Sequence, residues 1–357
     1  MLISSYKYMS PEEKKIIESA KKLYKLRVSI INLVIGIHKT SIKIQSPHIY
    51  KIFEKDIEKL MALKTTNLSK RISSVMYSNI AKKNYAITQK QYYLEYFLTE
   101  LALHIHSIIL LILLENFFPG DKANRKTKKI SKTAGGVFSI VSMGYNNIYV
   151  SLYEARNLFF EGKDFHAEIM FRNFMELMDL NIALLIDHEF YSIYKTIPNN
   201  EIEAKLRWNK IKPSMISKKV ENYIEHHVDL PLKHEFLDAR RKIYNDYSKS
   251  AHGLFESQYY SAFRAKKPFS NEEFEKRIFS FFDFNHAKAQ DFLLTFIIYN
   301  YCITFCLTTI FIKKYGLPMK NFKEIGSEFV YIFKLYEHLL KIYAKECGER
   351  MEKSTES

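Results

Sequence analysis

The sequence predicts an all-α protein built as a multi-helix bundle. Three observations carry that expectation. First, 10 Gly and 8 Pro among 357 residues are too few for the turn density of a β-sandwich or barrel. Second, apolar residues recur at three- and four-residue spacing through most of the chain, the period of a helix with one buried face. Third, helix starts and stops are written locally as capping boxes, prolines at first turns and glycines after last turns.

Ser10-Pro11-Glu12-Glu13 is a capping box with proline at the first helical position, and it opens a helix to about Ile37. Ser46-Pro47 opens a second, to about Leu63, and a third covers about Leu68 to Lys83. Thr88 to Phe118 reads as one long helix, most apolar at Ile108–Leu114 and stopped by Pro119-Gly120. Asp121 to Lys132 carries no apolar period and reads as a solvated loop, with Gly135-Gly136 after it. Val137–Val141 is a short β-prone run. Helices follow over about Tyr145–Glu161, Lys163–His188, Glu201–Lys210, Pro213–His226 and Leu232–Ala251, with Tyr191–Asn200 as a connection. A second capping box, Ser270-Asn271-Glu272-Glu273, opens a helix to about Asp283. The last two run from about His286 to Tyr315 and from Asn321 to Glu346. The organisation expected from this pattern is a basic helical region at 1–120, a basic linker at 121–136, a helical bundle at 137–347 and a polar tail at 348–357.

Charge is distributed unevenly. Residues 1–136 hold 24 Lys and Arg against 10 Asp and Glu, whereas 137–357 hold 30 against 29, so nearly all of the +15 net charge belongs to the first third. Only Arg27, Arg71 and Arg125 are arginines there. Lysine supplies point charge without the guanidinium fork, which suits a phosphate backbone or an anionic lipid surface better than base reading. Lys122, Arg125, Lys126, Lys128, Lys129 and Lys132 crowd the linker and are the candidate nucleic-acid contacts. Three cysteines make no disulfide framework, and no apolar leader opens the chain, so a reduced cytoplasmic setting is expected.

Phe292–Ile312 holds 21 residues without a charge between Asp291 and Lys313-Lys314, the length and flanks of a membrane span. Its Thr, Tyr and Asn residues favour the centre of a bundle instead, with a membrane-associated effector as the less favoured reading. No Gly-rich phosphate loop and no nucleophile elbow occurs. His104 and His106 lie two apart and face different ways on a helix. His226, His227 and His234 lie near helix ends, and no pair has zinc-ligand spacing, so neither metal nor cofactor is expected.

Two helices carry the candidate site. From Ile169 to Ile186 the only charges are Arg172, Glu176 and Asp179, at i, i+4 and i+7 on one face of an oily helix. From Ala239 to Gly253, Arg241, Tyr244, Ser248 and His252 fall at 0, 3, 7 and 11, again on one face. Buried charges must pair, so the first stripe should face either solvent or a polar partner on another helix; if the two stripes meet, Arg172 and Glu176 with Ser248 and His252 form a closed hydrogen-bond network across the helix pair.

A long apolar helix with Arg-x-x-x-Glu (Arg172, Glu176), followed by Tyr-x-x-Tyr-Ser-x-x-x-His-Gly (Tyr244, Tyr247, Ser248, His252, Gly253), resembles the HEPN-like all-α proteins of bacteria, including families found beside abortive-infection and phage-defence genes. The resemblance covers roughly 140–315. It implies a bundle of four to five helices, frequent dimerisation and, in active members, metal-independent RNA cleavage. Those nucleases carry Arg-x4–6-His. Here Asn245, Asp246 and Tyr247 stand where that arginine would be, and Arg241 lies further upstream. The expectation is a prokaryotic defence or toxin-type protein that binds nucleic acid, RNA before DNA, as a candidate endoribonuclease with His252 as acid–base and Arg172 or Arg241 as phosphate-facing cation. The alternative is a non-catalytic interaction or scaffold protein that dimerises through its bundle and uses the polar stripe as a register device.

Overall fold

The computed structural model describes residues 84, 86–88, 91–117, 132–231, 233–251 and 286–355, together with most positions between 11 and 29. The helices expected at 46–63, 68–83 and 270–283, the linker residues 121–131, and His252 lie outside the described residues. Among the described residues there is no strand, and the fold is all-α.

Nine helices are labelled here: α1 (Tyr93–Phe117), α2 (Lys132–Phe160), α3 (Asp164–Ile186), α4 (His188–Lys195), α5 (Glu201–Ile211), α6 (Pro213–His227), α7 (Lys233–Ala251), α8 (His286–Tyr315) and α9 (Lys323–Thr355). A short 3₁₀ turn, Met319–Phe322, precedes α9. The described residues between 11 and 29 are helical as well.

Helix α1 is the centre. Every residue from Leu94 to Leu114 is buried, which requires neighbours on all sides. Helices α2, α8 and α9 supply them, and α3 packs along α2 with α6, α7 and α8 on its other flanks. Leu98, Leu101, Ile105 and Ile108 of α1 therefore share one core with Phe138 and Ile148 of α2, Phe171 and Phe174 of α3 and Phe296 and Ile303 of α8. Aromatic contacts fill it: Phe171 touches Phe174, Phe292, Phe296 and Tyr299 with ring centroids 5.5–6.1 Å apart.

Among the described residues two helices, Tyr93–Phe117 and Lys288–Tyr315, are long and apolar enough to cross a membrane. In the first the apolar window is 100% buried inside the protein and in the second 67%, as core helices require. The apolar run at 108–114, too short to span by itself, is thus part of a longer buried helix.

The structure departs from the sequence pattern at several elements. Helix α2 begins at Lys132 and runs through Gly135-Gly136 and the β-prone 137–141 run without a break. The reason is packing. A Cβ on Gly136 would lie 2.6 Å from the Tyr191 hydroxyl, and one on Gly144 would lie 3.3 Å from the Asn181 amide. These glycines let α4 and α3 approach α2 closely. Residues 188–195, expected as mostly connection, form α4 because Asp187 caps it, its carboxylate accepting from the Phe190 amide at 3.0 Å while Phe190 and Tyr191 bury. Helix α9 continues to Thr355, through the polar stretch expected as a tail. True breaks do fall where glycine takes a left-handed backbone: Gly162 (φ 79°) after α2 and Gly316 (φ 62°) after α8.

The first third does not spend all its arginines on the surface. Arg27 is buried and donates to Glu100 of α1 at 2.8 Å and to the Tyr149 hydroxyl of α2 at 3.0 Å. Arg156 pairs with the other oxygen of the same carboxylate. The guanidinium groups lie over Tyr153 (4.7 Å) and Phe160 (4.7 Å), respectively. This Arg–Glu–Arg triad ties the N-terminal helical segment to α1 and α2.

Candidate functional site at the seam of two helices

Helices α3 and α7 do pack together, and their polar stripes meet. The meeting has two parts with different environments.

At the partly open part, Glu176 Oε1 accepts from Arg172 at 3.0 Å and from the Tyr244 hydroxyl at 2.9 Å. Arg172 Nη2 also reaches the Tyr244 oxygen at 3.4 Å, and its guanidinium carbon lies 5.0 Å from the centre of that ring. The side chains of Arg172 and Glu176 remain 17% and 28% exposed, so the group is within reach of a solute. Burial pushes the Tyr244 phenol above its ordinary range, with Glu176 adding to the rise, so it stays a protonated donor. Burial pulls down on Arg172, but Tyr244 and Glu176 more than offset it and the guanidinium is held as a cation.

The buried part is centred on Arg240. Its guanidinium bonds Asp179 of α3, Glu221 of α6 (2.6 Å) and Ser217 of α6 (3.1 Å). Glu221 then bonds the exposed Arg241 at 2.9 Å, and Arg241 reaches Asp238 at 3.2 Å. Burial pushes the Asp179 carboxyl up to about 6 against the pull of Arg240. Burial opposes the Arg240 charge too, and Asp179 overrides it, so this pKa sits above the ordinary arginine value.

The expected partners are thus partly rearranged. Arg172, Glu176 and Tyr244 come together. Ser248 does not join them: its hydroxyl donates to the Tyr244 carbonyl at 2.6 Å, one turn back on its own helix. Arg241 points to Glu221 and Asp238 rather than to α3. The residue that answers Asp179 is Arg240, which the spacing argument passed over. A signal was present: Leu237, Arg240, Tyr244 and Tyr247 fall at i, i+3, i+7 and i+10, and Leu237 and Tyr247 are apolar anchors of that face. Of the linker contacts, Lys122, Arg125, Lys126, Lys128 and Lys129 lie outside the described residues, as does His252, and Lys132 opens α2.

The histidines separate. His104 bonds Glu328 of α9 at 3.2 Å and stacks on Tyr24, whereas His106 bonds the Tyr145 hydroxyl at 2.7 Å in the core. Burial lowers the His106 pKa to about 4. Among the described residues no group of three or more His, Cys, Asp or Glu could hold a metal ion. Cys302 and Cys306 are core thiols, and burial pushes Cys302 up to about 12. Searches of protein-family models, of curated proteins and of solved structures each find no match to this chain.

Proposed function

We propose that this is a nucleic-acid-binding helical protein of HEPN-like, defence or toxin type, and that the open part of the α3–α7 seam is its working surface. The observation that supports this best is the Arg172–Glu176–Tyr244 cluster: a stacked, permanently charged guanidinium beside a carboxylate and a phenol, all partly exposed where the apolar α3 meets the polar α7. A cation and adjacent proton-transfer groups are what a phosphodiester requires. The lysine-rich first third would add sequence-independent backbone attraction. Cleavage of RNA without metal would draw its acid–base group from His252, which follows α7 directly in the chain.

Titrating labelled RNA and DNA against salt tests the binding half. Affinity should fall steeply with salt, with RNA held more tightly, and no binding at ~50 mM salt would remove it. RNA incubated with the protein in EDTA tests the catalytic half. Cleavage lost in both Arg172→Ala and His252→Ala is the expected outcome, and equal cleavage by His252→Ala would dismiss that residue as catalyst.

A second reading, a non-catalytic interaction protein, draws on the buried part of the seam. The buried Asp179 and Arg240, with the part-buried Glu221, join three helices, as a register device would.

A further inference from the structure

Helix α5 is unlike the rest of the fold. It buries no residue at all. Only Ala204, Arg207 and Ile211, at i, i+3 and i+7, turn partly inward. Arg207 ties the helix down by donating to the Ile193 carbonyl at 3.3 Å and to that of Tyr194, both near the end of α4. Ile202 and Leu206, four residues apart on the outer side, are 74% and 60% exposed, and Ile197 in the preceding turn is 84% exposed. Trp208 and, at the start of α6, Met215 are exposed as well. Large apolar side chains left in water this close together mark a surface that is covered in use.

The charge around them selects the cover. Between residues 195 and 218 there are five lysines and one arginine against Glu201 and Glu203. Lys195, Lys205, Lys210 and Lys218 are exposed. Glu203 is turned back onto the helix start, where it accepts from the Asn199 amide at 2.9 Å while Asn200 accepts from the Glu203 amide at 2.9 Å. Glu201, exposed in the first turn of α5, is the other acidic group of this segment. A second copy would bring a like excess of positive charge against this one, whereas an anionic lipid surface complements it. Isoleucine, leucine and tryptophan beside lysines are the composition of a helix lying at a bilayer interface.

We propose that α5 and its flanking turns form a docking surface for anionic membranes, with Ile197, Ile202 and Leu206 entering the headgroup region, Trp208 at the flank of the helix beside them, and the lysines contacting lipid phosphates. This is independent of the α3–α7 seam and of any transmembrane segment.

Trp208 is the only tryptophan in the chain, so intrinsic fluorescence reports on this helix alone. The full-length protein is mixed with vesicles of phosphatidylcholine and, separately, of phosphatidylcholine with phosphatidylglycerol. The expected result is a blue shift of Trp208 emission and protection from acrylamide quenching with the mixed vesicles only. Replacing both Ile202 and Leu206 with Ser should weaken vesicle binding at least about tenfold. Far-UV circular dichroism should be unchanged, since α5 buries nothing. Because the lysine-rich first third can itself hold anionic vesicles, sedimentation with unshifted Trp208 emission overturns the proposal. So does an emission shift that grows with protein concentration in the absence of lipid, which would assign the surface to a second copy.

Discussion

Replacing Arg240 with Met should be the most destabilising single change in the seam. Arg240 is 1% exposed, and Asp179 beside it is 3% exposed. Met keeps the side-chain length and the apolar contact but removes the cation. Asp179 Oδ1 already lacks a hydrogen-bond partner, so the carboxylate would lose its one compensating bond inside the core. Leaving a buried charge uncompensated costs on the order of 3–5 kcal/mol. At roughly 2.1 cal/mol/K per residue of unfolding entropy, that corresponds to a fall in Tm of about 5 °C if the chain melts as one unit. Thermal and urea unfolding followed by circular dichroism measure it. Adding Asp179→Leu to Arg240→Met removes the stranded charge and should recover most of the loss, because a well-packed apolar pair replaces a buried ion pair at little cost. A double variant as unstable as Arg240→Met alone, or a single variant that melts like wild type, would refute the reasoning.

Four further outcomes follow from the geometry. Gly136→Ala should cost about 1–3 kcal/mol, because its Cβ would meet the Tyr191 hydroxyl at 2.6 Å, and Tyr191→Phe in the same chain should turn the change neutral or stabilising through alanine's better helix propensity. Gly326→Ala should be worse, since there the Cβ would strike the Met319 carbonyl, a backbone group that cannot swing aside. The acid response should hide two opposing groups. His106, lowered from 6.5 to about 4, removes stability as pH falls through that window, while Asp179, raised from 3.8 to about 6, adds it between about 6 and 4. Denaturant midpoints between pH 7 and 4 should therefore fall more steeply in Asp179→Asn than in wild type, by about 3 kcal/mol at the acid end, and less steeply in His106→Gln. Cys302 and Cys306 should resist thiol reagents until the protein unfolds, as their buried, undissociated thiols require.

Much of the fold was legible because helix punctuation is local. The starts of α3, α5 and α6 and the end of α8 follow from Gly162, Asn200, Pro213 and Gly316, whose effects need no knowledge of the rest of the chain. What was not legible was tertiary. Gly135-Gly136 reads as a break, and only Tyr191, more than fifty residues on, explains why the helix passes through it. Asp187 falls inside the helix expected over Lys163–His188, yet it separates two helices, capping the second and bonding Lys219. The candidate site was half legible for the same reason. Helical spacing put Arg172, Glu176 and Tyr244 on facing stripes, and the structure brings them within 3.4 Å. Spacing alone could not choose between the adjacent Arg240 and Arg241, because both lie within one turn of Tyr244. Burial decides it: Arg240 is inside and Arg241 is out.

Arg172→Ala, measured for RNA affinity and for thermal stability in parallel, tests most directly whether the open part of the seam is a working surface. Glu176 is partly hydrated once its partner is gone, so the expected stability loss is at most about 1 kcal/mol, while RNA binding or cleavage falls by about tenfold or more. A variant that melts much earlier and handles RNA as well as wild type would contradict this and make the cluster a structural clamp.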